Sequence, residues 1–186
     1  MHSRAIDAAP GAANYAAEVW LNGRRLGRHE GGFTAFVFEV TGLLRAEGNR
    51  LVVGADSERD ALAIPPPVTD WETYGGITRS VRVISVSSMF VDDTWLRLLP
   101  DGTIAADIAL DGPGAANHDV TPSIAEFGLV RSVRTDAEWR AQLHFAKPEK
   151  LMLWSPERPM LYDVTIAAGD DLWRDQIGRA SCRERV

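Results

Sequence analysis

Two neighbouring residues, Asp70 and Trp71, carry the side chains that a sugar-binding site needs. A carboxylate accepts hydrogen bonds from hydroxyl groups, and an indole ring offers an apolar face to C–H groups. Both residues follow a proline-rich stretch, residues 60–69, which cannot form a central strand and is expected to be a long surface loop. We therefore predict that Asp70 and Trp71 contact a carbohydrate. The alternatives are that Asp70 caps a turn or pairs with Arg79, and that Trp71 packs in the core.

The sequence has no recognisable pattern for catalysis or metal binding. The four histidines show neither an H-E-x-x-H motif nor any other metal-ligand spacing, and there is no G-x-S-x-G elbow and no phosphate-binding loop. We therefore predict no catalytic residue, no metal and no cofactor.

Composition limits the classes of function that the chain can have. Its 186 residues carry a net charge of -6, which gives no electrostatic basis for binding nucleic acid. No apolar run approaches the roughly 20 residues that cross a bilayer, so no membrane role is predicted. The single cysteine, Cys182, excludes an internal disulfide. The N-terminus has no apolar signal segment, and localisation stays open between the cytoplasm and the periplasm or cell exterior.

Short strands separated by turns account for most of the chain. The strand-like segments are residues 16–21, 25–29, 33–40, 50–55, 77–87, 94–99, 103–110, 123–130, 141–145 and 161–167. Strands at such spacing, without amphipathic helices between them, are typical of a β-sandwich. Asn22-Gly23 predicts a type I′ hairpin turn. Apolar side chains on both faces of residues 33–40 predict a strand that is covered on both sides.

Three segments resemble glycoside hydrolase family 2, the family of β-galactosidases, β-glucuronidases and β-mannosidases. Residues 17–40 read AEVWLNGRRLGRHEGGFTAFVFEV, residues 69–83 read TDWETYGGITRSVRV, and residues 153–164 read LWSPERPMLYDV. They are similar to the family's VWLNG and GGF stretch, its DW..YGGI.R.V signature and its LWSPE.P.LY stretch. The order and spacing of the three segments also match those of the family.

The resemblance implies roles for a set of turn and packing residues and for one residue at the active-site pocket. The turn and packing residues are Asn22, Gly23, Gly31, Gly32, Tyr74, Gly75, Gly76, Arg79, Trp154 and Pro156. In the family, the acidic residue at the place of Asp70 faces the active-site pocket of the barrel that follows. Ser57 stands where the family usually has asparagine, so no role of that asparagine is carried over.

The resemblance implies an all-β chain of two sandwiches. An incomplete, galactose-binding-like jelly roll is expected over residues 1–88, and an immunoglobulin-like sandwich over residues 89–178. The last segment, residues 179–186, reads RASCRERV and resembles nothing in the family. We interpret it as a tail outside the native sequence, and we expect the first strands of the jelly roll to be missing before Met1.

The family's retaining enzymes use two glutamates on a (β/α)₈ barrel, which takes about 250 residues. A chain filled by sandwich strands has no room for it. The expected function is therefore the non-catalytic N-terminal fragment of a family 2 glycosidase. It would be inactive alone, with carbohydrate and the missing catalytic barrel as partners. A free-standing carbohydrate-binding module is the alternative, and an adhesion-type sandwich without a sugar role is a third interpretation.

Overall fold

The computed structural model describes residues 2–8 by their backbone, and residues 13–59, 61–64, 66–70 and 74–179 in full. The chain divides into two units, Met1–Val86 and Ser87–Val186. Strands make up both units, and the helical content of the described residues is one short 3₁₀ turn. The prediction of an all-β chain is therefore confirmed. No helix in these residues is long and apolar enough to cross a membrane.

The first unit consists of short antiparallel strands. In its described residues these are β1 (His2–Ala8), β2 (Ala13–Asn14), β3 (Ala16–Leu21), β4 (Arg24–Glu30), β5 (Phe36–Glu39), β6 (Leu51–Asp56), β7 (Gly76–Ile77) and β8 (Val81–Val86). They form sheets of order β4-β3-β6 and β5-β1-β8, with β2 paired to β7. Strand β1 was not predicted, because its sequence HSRAIDA lacks a clear apolar alternation.

The core of the first unit lies between its two three-stranded sheets. Val19 and Leu21, two positions apart on β3, point to the same side and are fully or almost fully buried with Val40. Phe36 and Phe38 of β5 pack against them from the other sheet. The alternation of apolar positions along β3 and β5 thus sets which faces of the two sheets meet.

The prediction that residues 33–40 form a strand covered on both sides is wrong. The strand is limited to β5, and both Phe33 and Val37 are more than half exposed. The face that carries them is not covered by any described part of the first unit. Apolar composition alone does not distinguish a doubly buried strand from one that shows an apolar face to the surroundings.

The second unit is a sandwich of two antiparallel sheets. Its strands are β9 (Phe90–Leu98), β10 (Ile104–Asp111), β11 (Asp119–Ile124), β12 (Leu129–Val130), β13 (Val133–Arg134), β14 (Arg140–Phe145), β15 (Tyr162–Ala168) and β16 (Asp171–Ile177). One sheet has the order β14-β10-β9 and the other β12-β11-β15-β16, with β13 also paired to β11. If β12 and β13 count as one interrupted strand, three strands face four, as in immunoglobulin-like sandwiches.

Alternating burial along the strands produces the core of the second unit. Along β14, β15 and β11, every second residue is buried. Ile108 of β10 packs in one cluster with Ile124, Val164 and Ile166 from the facing sheet. Each of these side chains is worth about 1.5–3 kcal/mol when it leaves water, so this cluster is the main source of stability in the unit.

The predicted strand over residues 123–130 is wrong. Strand β11 ends at Ile124, and a 3₁₀ turn, Ala125–Phe127, closes on Gly128 in the left-handed region at φ 62°. The prediction also missed that β11 contains Pro122. The Pro122 carbonyl accepts a hydrogen bond from Arg131, between β12 and β13. The Pro122 nitrogen points to the same side, where pairing between strands is interrupted between β12 and β13. The N–H that proline lacks therefore removes no hydrogen bond from the sheet.

Candidate functional site

The hairpin between β3 and β4 is bonded to the loop that precedes β6. Asn22 and Gly23 have positive φ angles of 52° and 84°, as a type I′ turn requires. The Asn22 amide donates to the Leu43 carbonyl at 3.0 Å, and its side-chain oxygen accepts the Arg50 N–H at 2.9 Å. The Asn22 side-chain nitrogen also donates to Asn49 Oδ1 at 3.0 Å. Asn22 therefore serves both the turn and the packing of the neighbouring loop.

The glycine pair after β4 reverses the chain beside a histidine. Gly31 has φ 127°, a backbone conformation that side chains disfavour, and Gly32 is buried. His29 Nε2 lies 3.2 Å from the Gly31 carbonyl oxygen and 3.1 Å from Thr34 Oγ1. The His29 ring stacks on Phe36 with centroids 4.4 Å apart. His29 is thus held on both its polar and its apolar side, as a structural residue.

Hydrogen bonds anchor the proline-rich loop at two points. The Gly32 N–H donates to the Ile64 carbonyl at 3.4 Å, which ties the loop to the glycine turn. Arg59 Nη1 donates to the Pro66 carbonyl at 3.3 Å, across the loop itself. The described parts of this segment contain no strand, so these two bonds provide order that a sheet would otherwise supply.

The two ends of the same loop lie against each other. A Cβ placed on Gly75 would lie 2.6 Å from the Cβ of Ser57, so only glycine allows this approach. Gly76 has φ 92° and pairs with Asn14 in the short β2–β7 ladder. The Asn14 amide donates to the Tyr74 carbonyl at 2.9 Å. We call residues 57–75 the Asp70 loop, and its base is closed by these contacts.

The candidate substrate-binding residues lie on this loop. Asp70 is exposed, and among the described residues no ion pair joins it to Arg79, which is itself exposed. Trp71 lies outside the described residues, so its role stays a prediction. The apolar side chains of Leu62 and Val68 are 89% and 87% exposed on the same loop. The loop thus presents a carboxylate and apolar groups to its surroundings.

The third motif forms a turn that closes the second unit. Ser155 and Arg158 exchange backbone hydrogen bonds, each 3.0 Å long, with the Trp154-Pro156 segment at the turn. The Trp154 N–H donates to the Arg179 carbonyl at 2.7 Å, just after β16. Of the predicted tail, residues 180–186 lie outside the described residues.

A buried tyrosine joins this turn segment to the core. The Tyr162 hydroxyl accepts the Met152 N–H at 2.8 Å and donates to the Met152 carbonyl at 3.0 Å. Tyr162 begins β15 and is 5% exposed. A tyrosine at the start of this strand, bonded here to backbone 10 residues upstream, resembles the tyrosine corner of immunoglobulin-like folds.

The chemistry available on the Asp70 loop is recognition. Asp70 offers an acceptor for hydroxyl groups, and the loop offers apolar surface beside it. In the described residues, no group of three or more histidine, cysteine, aspartate or glutamate side chains is placed to hold a metal ion.

Several known proteins are similar in sequence to this chain. No family model matches it. The large subunit of a Leuconostoc lactis β-galactosidase is 30% identical over 168 residues, which are 83% of this chain and 25% of that protein. A Thermoanaerobacter pseudethanolicus β-galactosidase is 29% identical over 162 residues, 81% of this chain and 22% of that protein. A Bacteroides fragilis β-glucuronidase is 40% identical over 72 residues, 38% of this chain and 10% of that protein.

The chain is a relative of the β-glucuronidases and β-galactosidases of glycoside hydrolase family 2. It spans between 14% and 26% of the length of the relatives that match most of it. Solved structures share its fold. A Bifidobacterium dentium β-glucuronidase complexed with coumarin-3-O-glucuronide superposes with a TM-score of 0.75 at 23% identity, over 96% of this chain and 37% of that one. A Faecalibacterium prausnitzii β-glucuronidase gives 0.72 at 23% identity, over 100% and 36%.

Within the family 2 motifs, the sequence did not reveal which residues hold the motif residues in place. Asn14 and Asn49 bind the backbone of segments 60 and 4 residues away, respectively. Asn14 lies in no recognisable pattern. Ser57 was noticed only as a departure from the family, yet its small side chain is what Gly75 packs against. These contacts depend on which loops the sheets bring together, and only Asn49, four residues after Arg45, has a local signal.

Proposed function

We propose that this chain is the non-catalytic N-terminal part of a retaining family 2 glycosidase that acts on terminal β-glycosides. The observation that carries the proposal is that glycosidases match most of this chain, whereas the chain matches only about a quarter or less of their length. The two units are built from antiparallel strands, which suits a scaffold that precedes a catalytic barrel. We keep residues 1–88 and 89–178 as the ranges of its two domains.

The role we assign to the Asp70 loop is to form one wall of the sugar pocket of the barrel. Asp70 would accept hydrogen bonds from sugar hydroxyls, and Trp71 would contact the sugar ring. The closed base of the loop, at Ser57 and Gly75, supports this role because it limits how far the tip can move. A binding group on a preorganised loop loses less entropy when the ligand arrives.

The apolar tip of the same loop supports contact with the missing barrel. Leu62, Ile64 and Val68 expose most of their surface in this chain. Burying one such side chain gains about 1.5–3 kcal/mol, which makes these residues the natural contact surface for a further domain.

The first experiment measures activity of the chain alone. The purified 186-residue protein is incubated with the nitrophenyl β-glycosides of galactose, glucuronic acid and mannose. We expect no release of nitrophenol, because the family's two catalytic glutamates stand on a barrel of about 250 residues, for which a 186-residue chain of sandwich strands has no room. Turnover above the blank would contradict the proposal.

The second experiment tests the role of Asp70 in a longer protein. The DNA after the codon of Gly178 is sequenced, and an open frame that continues into barrel strands is expressed with this chain. Asp70→Asn should lower kcat/KM by about 10–100-fold, since it removes the charge of an acceptor whose hydrogen bonds are worth roughly 1.5–3 kcal/mol. Asp170→Asn, the same change at an exposed turn of the second unit, is the control. Equal kinetics for the two variants would remove Asp70 from the pocket.

A further inference from the structure

A groove of about 400 Å³ crosses the outer face of the sheet formed by β9, β10 and β14 in the second unit. Strand register places its side chains. Trp95 lies opposite Asp107, and Asp107 lies opposite Gln142 on the other side. Two residues along the sheet, Ala109 lies between Asp93 and Arg140. Residues opposite each other in antiparallel strands share a face, so these side chains form one surface, with a small residue as part of its floor.

Trp95 is the feature of this surface that calls for an explanation. It is 61% exposed, more than any other tryptophan in the described residues. Its ring is nevertheless held in place. The Arg97 guanidinium lies over the ring at 4.0 Å from the centroid, and Arg97 is itself paired with Asp107. Arg97 covers one face of the indole, and more than half of the Trp95 surface stays exposed.

The polar groups beside the ring are available to a ligand. The side chains of Arg140 and Gln142 are exposed and make no hydrogen bond to other described residues. Arg97 binds one carboxylate oxygen of Asp107, and no described residue bonds the other. The groove therefore combines donors and acceptors within reach of an aromatic face.

The charges in the groove decide what kind of ligand fits. Asp93 and Asp107 contribute two negative charges, and Arg97 and Arg140 contribute two positive charges. They cancel, so the groove offers no net attraction to an anion or a cation. A sugar ring that is uncharged has apolar C–H faces for stacking and hydroxyl groups that donate and accept. Such a sugar therefore matches both the aromatic ring of Trp95 and the polar groups beside it.

We propose that this groove binds a neutral oligosaccharide, with one sugar ring stacked on Trp95 and its hydroxyl groups bonded to Asp107, Gln142 and Arg140. This site belongs to the second unit alone and goes beyond the proposed function, because it requires neither the Asp70 loop nor a catalytic barrel. It would attach the protein to polysaccharide and so raise the local concentration of sugar chain ends.

The test titrates the whole 186-residue chain by calorimetry with neutral tetrasaccharides built from β-linked glucose, mannose, xylose and galactose. A tetrasaccharide of galacturonic acid is the charged comparison. We expect at least one neutral tetrasaccharide to bind with a dissociation constant of the order of 1 mM. The charged one should bind no more tightly, because a groove without net charge adds no attraction for an anion. Absence of binding by every neutral sugar at about 10 mM, or tighter binding of the charged one, would overturn the proposal.

Variants assign the site to the groove. Trp95→Ala should weaken binding by about 10-fold or more, and Trp95→Phe, which keeps an aromatic face, by about 3-fold or less. Trp139→Ala is the matched control, since Trp139 is 43% exposed in the same unit and does not line the groove. Gln142→Ala tests the polar half and leaves the aromatic ring in place.

Two further outcomes keep this proposal separate from the proposed function. Asp70→Asn should bind the tetrasaccharide like the unmodified chain, whatever the outcome of the activity measurements. If Asp70→Asn abolishes binding, or if Trp95→Ala leaves it unchanged, the groove is not the site. Sedimentation of the sugar-free chain tests the other possible occupant of the groove, a second copy of this chain. A dimer that Trp95→Ala dissociates would make this face an interface between copies and refute sugar binding there.

Discussion

Gly112 is the glycine whose replacement should damage the second unit most. It follows β10 directly and lies beside the residues that lead into β9. A Cβ on Gly112 would lie 2.0 Å from the Ser88 carbonyl oxygen and 3.0 Å from the Met89 Cα. The backbone φ of 108° also disfavours any side chain. Gly114 is two residues further along the same turn, with φ 87° and no atom within 4 Å of its would-be Cβ.

The two glycines separate the cost of the backbone angle from the cost of the contact. An alanine at positive φ costs about 1–2 kcal/mol, and the less flexible unfolded chain returns roughly 0.4–1 kcal/mol. Gly114→Ala should therefore destabilise by about 1 kcal/mol or less. Gly112→Ala carries the same cost and must also move backbone, because carbon and oxygen normally stay about 3.3 Å apart. Overpacking of this kind adds roughly 1–3 kcal/mol, so we expect a total of about 2–4 kcal/mol.

Urea unfolding followed by tryptophan fluorescence measures the difference. The second unit contains four of the six tryptophans, Trp95, Trp139, Trp154 and Trp173. The curve should be fitted with one transition for each unit, since two units need not unfold together. Only the transition of the second unit should move, and in Gly112→Ala far more than in Gly114→Ala. Equal midpoints for the two variants would refute the reasoning that the Ser88 carbonyl, and not the backbone angle, excludes a side chain at Gly112.

Three further changes test other contacts. Tyr162→Phe should cost about 1–3 kcal/mol in urea unfolding, because it removes the two hydrogen bonds between the Tyr162 hydroxyl and the Met152 backbone, each worth roughly 0.5–1.5 kcal/mol; an unchanged midpoint would show that these bonds do not stabilise the unit. The hydrogen bond from Arg134 holds the pKa of Asp119 below its usual value of 3.8, so its contribution is present above that pH and is lost as the pH falls through the lowered pKa. Asp119→Asn should therefore flatten the acid dependence of the unfolding midpoint below about pH 4, and an unchanged pH profile would contradict this. Asn22→Gly keeps the type I′ turn and deletes the side-chain hydrogen bonds. It should therefore lower the unfolding midpoint of the first unit by the equivalent of about 1–2 kcal/mol. An unchanged midpoint would mean that only the turn matters.

The parts of the fold that could be predicted were those with local signals. Asn22-Gly23 specifies its turn by itself, because both residues tolerate positive φ. Clean alternation placed β14 and β15 within one residue of their observed bounds. These elements depend on residues next to each other in sequence, which is where pattern reasoning is strongest.

The elements that could not be predicted depend on distant parts of the chain. Strand β1 is defined by its two neighbours, β5 and β8, and not by its own sequence. The predicted strand began at Ser123 and left out Pro122, a residue type that central strands disfavour; β11 accommodates it because the partner on one side is interrupted at that residue. On the candidate site, Asp70 could be named from its motif, whereas the closure of its loop by Ser57 could not, since that contact exists only once β6 and β7 are in place.

The construction of the Asp70 loop gives a physical argument for a partner. A segment that merely connects two strands needs neither anchors nor apolar side chains, and polar residues at its tip would cost nothing in water. This loop has a closed base at Ser57 and Gly75 and a hydrogen bond from Gly32 to Ile64 further along. Ordering it costs conformational entropy, about 1–2 kcal/mol for each residue whose backbone becomes fixed. Leu62 and Val68 recover none of that cost by burial within the described chain. A loop that is anchored at these points and leaves its described apolar side chains uncovered is consistent with a surface that another domain completes.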